Sequence, residues 1–311
     1  MLRLRVVTGA LLATSMLVPT TQALAQVVPG AADPSRIRPQ ERAPQAPLDN
    51  KAARVKTDSV LPAIEIPKGS ESVRFVLQSL KLEGVSAFEQ KDFTELYQPL
   101  LGKEVSLKQI YELAARITLM YRDEGYLLSY AYVPDQSISD GAVRIAVAEG
   151  YVARVVIEGE DPNARISKHY IEQITSQRPL QQRTMESALL RLSDLPGYSY
   201  RAVLGKEKNA APNETMLTLV PMKKKAQANI SFDNFSSRYL GPNEVSATYS
   251  DSFLPLQQTT LMGLTSLPTD RLNYALINHF YVLVPDVTLE GSGSYTKSEP
   301  AYRLSTLDIK G

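Results

Sequence analysis

Beyond residue 226 the sequence alternates, and that alternation restricts the fold more than any other feature of the chain. Between Val287 and Lys297, the side chains of Val287, Leu289, Gly291, Gly293 and Tyr295 fall on one side of an extended backbone. Thr288, Glu290, Ser292, Ser294 and Thr296 fall on the other, the period of two expected of a strand with unlike faces. Segments 227–234, 244–251, 258–266, 272–281 and 302–310 read the same way, separated by Pro, Gly, Asn and Asp. Lipid cannot hydrogen-bond a peptide backbone and a closed sheet leaves no edge unpaired, so strands of about ten residues with this pattern suit a transmembrane β-barrel. A soluble sandwich is the alternative. Strand length favours the barrel, as do Tyr239, Tyr249, Tyr274, Phe280, Tyr281, Tyr295 and Tyr302, which supply interfacial aromatics.

The other end of the chain agrees with export. Arg3 and Arg5 precede an apolar run from Val6 to Val18, and Ala23-Leu24-Ala25 stands before Gln26. This is the pattern of a cleaved signal peptide, residues 1–25, and the run is shorter than the roughly 20 residues of a spanning helix. Residues 26–70 carry Pro29, Pro34, Pro39, Pro44, Pro47, Pro62 and Pro67, too many for a helix, and read as a periplasmic arm or linker. The chain has no cysteine, which excludes disulfides and thiolate chemistry. Its 34 basic and 33 acidic residues give no electrostatic case for nucleic acid.

Between these ends lies a duplicated pattern. Leu107, Ile110, Ala114, Ile117 and Tyr121 form a helical stripe. Ser106 with Gln109 makes a capping box, and Gly125 ends the helix behind Arg122. Before it, Phe75, Leu77, Leu80 and Leu82 read as a strand and 88–101 as a short helix. After it, 127–133 and 143–147 read as strands around the turn from Pro134 to Gly141. The order repeats after about 75 residues: a strand through Val152, Val155 and Ile157, helices over 166–177 and 181–195, and strands over 198–203 and 216–220. Each unit can lay two helices on a three-stranded sheet.

Leu82-Glu83-Gly84, Gly102, Tyr121 to Gly125-Tyr126, Val133-Pro134-Asp135-Gln136, Asp140-Gly141 and Glu149-Gly150, in this order and spacing, resemble the polypeptide-transport-associated (POTRA) domain of two-partner-secretion transporters, the haemolysin-exporter type. Asp194-Leu195-Pro196-Gly197 resembles the helix end of the family's second such domain. Asp233-Asn234-Phe235-Ser236-Ser237-Arg238 with Gly241 resembles its first barrel hairpin. The resemblance implies an α+β chain: two tandem POTRA domains of β-α-α-β-β order, 71–150 and 151–224, then the first strands of an antiparallel transmembrane β-barrel, 225–311. Six strands are fewer than the roughly eight of the smallest membrane barrels. The sequence also ends within a predicted strand at Leu307 to Gly311 and lacks the family's later V-R-G-Y or V-R-G-F loop, so an incomplete or truncated barrel is expected.

The same resemblance implies a function without catalysis, metal or cofactor. An unfolded exported partner, carrying an N-terminal recognition domain, would bind the periplasmic domains and leave through an outer-membrane pore. Sheet edges offer unpaired backbone groups to which an extended client adds a strand. By resemblance the candidate edges are Leu127, Leu128, Ser129, Tyr130, Ala131, Tyr132 and Val133, and the strand from Tyr198 through Tyr200 to Val203. An edge covered by the neighbouring domain is the bland alternative. Structural roles fall to Gly84, Gly125, Tyr126, Pro134, Gln136, Gly141, Gly150, Pro196, Gly197, Asp233, Asn234, Arg238 and Gly241. Lys223 to Lys225 serve either as contacts to lipid phosphates or as a charged hinge. A barrel-assembly factor of the same superfamily and a secreted structural β protein remain as alternatives.

Other sharp readings fail. His169 and His279 lie in different predicted domains, and Glu158, Glu160 and Asp161 flank the turn-forming Gly159 and Pro162. Gly291-Ser292-Gly293-Ser294 leads into no helix, as a phosphate loop must. Tyr111, Tyr121 and Tyr126 have the spacing of core residues.

Overall fold

The computed structural model describes residues 66–138, 140–234 and 236–301, with the backbone of Ile309–Lys310. The signal peptide, the arm up to residue 65, Phe235, Tyr302 and the first part of the sixth predicted strand lie outside the described residues. Two compact units result. One holds the described residues up to Asp194 with Ser199–Met222, the other Leu195–Tyr198 and the chain from Lys223.

The first unit opens with β1 (Arg74–Val76), β2 (Ser79–Glu83), α1 (Thr94–Tyr97), β3 (Glu104–Ser106), α2 (Leu107–Asp123), β4 (Tyr130–Tyr132) and β5 (Ala142–Ala148). The capping box of α2 is formed: the Gln109 amide donates to Ser106 Oγ (3.3 Å), and the Ser106 amide to Gln109 Oε1 (2.8 Å). Two more of the amides that a helix start leaves without partners reach upstream, Leu107 to the Val73 carbonyl (2.9 Å) and Lys108 to the Ser70 carbonyl (3.1 Å). The last residues of the stretch read as an arm therefore belong to this unit. Ile110, Leu113, Ala114, Ile117 and Tyr121 face inward and are buried with Leu80, Leu82, Val143, Ile145 and Val147 of the sheet. At about 1.5–3 kcal/mol for each large side chain fully buried, this stripe holds helix and sheet together.

Three expectations change. The short helix expected over 88–101 is one α-helical turn between two tighter ones, Gln90–Phe93 and Gln98–Leu100, because Pro99 has no amide to continue an i→i−4 ladder. The single strand expected around Phe75 to Leu82 is two, and β1 pairs with β3 as a separate ribbon. The strand expected over 127–133 is only three residues long.

The second repeat comprises β6 (Tyr151–Ile157), α3 (Ala164–Ser176), α4 (Gln182–Asp194), β7 (Tyr198–Gly205) and β8 (Glu214–Lys223). The sheets run β2-β5-β4 and β6-β8-β7, the first and third strands parallel in each. In both repeats the strand after the long helix is outermost.

The other unit is a meander, β9 (Gln227–Asp233), β10 (Asn243–Asp251), β11 (Gln257–Leu267), β12 (Leu272–Val284), β13 (Val287–Ser298) and β14 (Ile309–Lys310), each antiparallel to its neighbour. The register aligns Ile230, Ala247, Gly263, Ala275 and Tyr295 across five strands on one face. On the other it aligns Ser231, Ser246, Leu264, Tyr274 and Thr296. Ile230 is 79% and Phe232 65% exposed, as an apolar outer wall requires. The opposite face is less uniform than its sequence suggested. Met262, Leu264 and Leu272 form an apolar island there, with Tyr274 and Leu276 against it, because Leu240 of the β9–β10 connection folds over them.

Candidate functional site

The two outermost strands, β4 and β7, are where the expected client-binding residues lie, and their surroundings differ. In β4 the backbone alternates between amides that pair with β5 and amides that point away. The outward amide of Ala131, and that of Ser129 just before the strand, have partners within the repeat: Ala131 donates to Thr118 Oγ1 (2.9 Å) and Ser129 to the Tyr126 carbonyl (3.0 Å). Thr118 in turn donates to the Ala114 carbonyl (3.0 Å). Leu128, Ser129, Tyr130 and Ala131 are all buried. The Tyr130 hydroxyl donates to the Pro212 carbonyl of the second repeat (3.2 Å), and the Lys206 ammonium lies 6.0 Å from its ring. Leu127, Tyr132 and Val133 are half-buried.

β7 has eight residues. Tyr200, Ala202 and Leu204 turn inward and are buried, while Arg201 and Val203 are exposed. The Tyr200 hydroxyl donates to Asp161 Oδ1 (2.6 Å). Pro196 and Gly197, expected to close α4, lie in the segment that belongs to the β unit, where the Gly197 carbonyl accepts from the Lys224 amide (2.8 Å).

The motif residues organise the first repeat. Gln136 stands in for a strand residue: its side-chain amide donates to the Arg144 carbonyl (2.7 Å) and its oxygen accepts from the Arg144 amide (2.8 Å). The β4–β5 pairing ends at Tyr132 and Ala146, Pro134 two residues on has no amide to offer, and Gln136 carries the ladder on to Arg144. Gly141 has φ +70°, and a Cβ there would lie 2.0 Å from the Val76 carbonyl oxygen. Gly150 is tighter still in consequence, since a Cβ would meet both the Leu128 carbonyl oxygen (2.2 Å) and its Cβ (2.6 Å). Its amide donates to Ser129 Oγ (3.0 Å) and its carbonyl accepts from the Leu180 amide of the second repeat (2.9 Å). Gly84 and Gly125 also turn the chain with positive φ, and Tyr126 packs edge-on to Tyr121. In the β unit Asp233 ends β9, followed by Asn234, Arg238 stacks on Tyr239 (5.0 Å), and Gly241 lies against Ser266.

Glu149 is a buried node that the sequence showed only as part of a motif. Its Oε1 accepts from the Ser86 amide (2.7 Å), the Ala87 amide (2.8 Å) and the Tyr121 hydroxyl (2.7 Å), and its Oε2 from the Ser86 hydroxyl. Burial raises its pKa, but the bonds from Ser86, Ala87 and Tyr121 outweigh burial and hold the carboxyl below its ordinary range. Burial, followed by the bond to Glu149, pushes the Tyr121 phenol well up. The arrangement is a charged acceptor enclosed by donors, suited to holding β5 against α2. Phe88 and Phe93 complete the surrounding aromatic cluster.

Where the C-terminal end of α2 meets the start of α4, an open cleft of about 500 Å³ is lined by Asp123, Glu124, Gln181, Arg183 and Glu186. Gln182 crosses it by donating its amide to the Gly125 carbonyl (2.8 Å). His169 contacts Gln173 and His279 contacts Thr259, and no three His, Asp or Glu residues converge on a metal position among the described residues.

Comparison with known proteins follows the same division. Residues 75–150 match the POTRA domain family of the ShlB type. The heme/hemopexin transporter protein HuxB of Haemophilus influenzae strain 86-028NP is 25% identical over 158 residues, covering 50% of this chain and 28% of that protein. The outer membrane transporter CdiB of Dickeya dadantii is 24% identical over 208 residues, covering 62% and 37%. The solved CdiB from Escherichia coli aligns with a TM-score of 0.60 at 17% identity, covering 81% of this chain and 47% of that one, a likeness of fold. This chain thus spans 28% to 37% of the length of the two curated relatives.

Proposed function

We propose that this chain, related to outer-membrane transporters and carrying a ShlB-type POTRA domain at residues 75–150, is the periplasmic and first membrane-embedded part of a two-partner-secretion transporter. Residues 71–150 and 151–224 act as tandem periplasmic domains, and the strands from residue 225 form part of the wall of an outer-membrane pore. An unfolded exported protein adds a strand to a sheet edge of these domains. It gains affinity from main-chain hydrogen bonds and selectivity from alternate side chains, then threads into the pore. The cycle requires no catalytic residue, metal or cofactor.

One observation carries the reading: an antiparallel sheet with an apolar outer face and a mixed inner face, polar apart from the Met262–Leu264–Leu272 island and its neighbours on β12, shares a chain with a ShlB-type POTRA domain. Water would penalise that outer face, while hydrocarbon would stabilise it. The test is deletion of residues 71–224, both periplasmic repeats, from the protein expressed in its native membrane. Retained membrane insertion with loss of client binding supports the proposal. Unchanged client retention contradicts it.

A further inference from the structure

We infer that the client strand adds to β7 of the second repeat and not to β4 of the first, and that it is an extended, alternating segment with an acidic side chain opposite Arg201. The inference rests on the strand-addition reading above and narrows it to one edge. Strand addition draws on outward-pointing backbone groups. At β4, the amides of Ser129 and Ala131 are already spent on the Tyr126 carbonyl and Thr118 Oγ1. The flanking Tyr130 is covered by the Lys206–Pro212 segment. A three-residue strand whose outward Ala131 amide is taken, with that of Ser129 just before it taken as well, cannot support the five or six residues of a typical added strand.

β7 offers eight residues, outermost in its sheet. A segment lying beside it would place alternate side chains on the two faces of the sheet. One set would extend the buried row of Tyr200, Ala202 and Leu204. The other would lie beside Arg201 and Val203, where the sheet face continues through Glu214, Met216, Thr218, Val220 and Met222 of β8 to Arg154 of β6, whose charge is met by Glu207. Val203 is 41% and Met222 39% exposed, so at the β7 edge this face offers apolar contact beside the exposed Arg201. On the corresponding face of the first repeat the charges lie inward of the edge, Lys81 and Glu83 on β2 (2.9 Å) and Arg144 on β5 (3.9 Å from Glu83), while the edge strand itself carries Tyr130 and Tyr132 there. An alternating apolar segment bearing one carboxylate complements the exposed Arg201 and Val203 of β7, whereas β4, Tyr130–Tyr132, has no cation.

The chain contains no cysteine, so Val203→Cys and Tyr132→Cys each introduce a unique thiol into the full chain. The probe is a ten-residue peptide of alternating Val and Thr with a central Glu and a terminal activated disulfide. Rates are divided by each thiol's rate with the free activated disulfide. We expect the peptide to label Val203→Cys roughly tenfold faster than Tyr132→Cys, since docking raises the effective concentration. Adding Arg201→Glu should slow that labelling by about threefold, and a peptide with Lys in place of Glu should restore it. Equal enhancement at both positions, or no response to charge reversal, overturns the inference. Enhancement at Tyr132→Cys alone overturns the choice of edge and leaves strand addition standing, whereas enhancement at neither position removes strand addition itself.

Discussion

The two α+β repeats share a strand order and differ at the same edge. The first invests its edge strand in its own stability: Thr118 and Tyr126 take the outward amides, Gln136 extends the ladder past Pro134, and Glu149 gathers four donors behind β5. The second keeps a longer edge strand, with Arg201 and Val203 open to solvent. One topology can therefore serve as a sealed spacer or as a docking strand, and a few side chains outside the sheet decide which.

The largest effect is expected where the first repeat is tightest. Gly150→Val drives a side chain into the Leu128 backbone and should cost about 3 kcal/mol, seen as a lowered urea midpoint for the first repeat. Full stability would break the claim that this crossing is rigid. Glu149→Ala leaves the Ser86 and Ala87 amides and the Tyr121 hydroxyl without their acceptor and should cost about 2–3 kcal/mol.

Glu149 also sets a pH dependence. Its folded-state pKa lies below the ordinary 4.5, so its stabilisation is fully present above that value and is lost as pH falls through the folded-state pKa. Glu149→Gln should remove this acid-side loss, as followed by circular dichroism between pH 5 and pH 2. An unchanged acid transition in the variant would contradict the assignment.

Two smaller effects sharpen the contrast between edges. Thr118→Val keeps the side-chain shape but strips the Ala131 amide of its acceptor, at a cost of about 1–2 kcal/mol. Amide hydrogen exchange at Ala131 should accelerate, while that in β7 should not change. Gln136→Ala breaks the two bonds to the Arg144 backbone and should cost about 1 kcal/mol in the same melt.

Much of this architecture is legible in the amino-acid sequence, wherever the signal is periodic or a cap. The Ser106–Gln109 box, the stripe of α2 and the alternation from Gln227 to Ser298 all have local physical causes. What escaped was non-local. The three-residue strands β1 and β3 are too short to show a period. The sealing of β4 depends on Thr118, a buried α2 residue outside the apolar stripe, whose hydroxyl meets the Ala131 amide only across the fold. Leu240 reads as a lone apolar residue in a turn, yet it covers an island formed by Met262, Leu264 and Leu272. The motif residues pointed to Gln136 and Gly150, but only the register explains why a side-chain amide follows Pro134 and why Gly150 admits no side chain.

The central claim is that the apolar face of the meander meets hydrocarbon. The chain has no tryptophan, so Ala247→Trp and Ser246→Trp, adjacent on β10 but on opposite faces, report each face separately in the membrane-inserted protein. With brominated lipids, the account predicts strong quenching of Ala247→Trp and little of Ser246→Trp. Equal quenching of the two, or the reverse order, would contradict it.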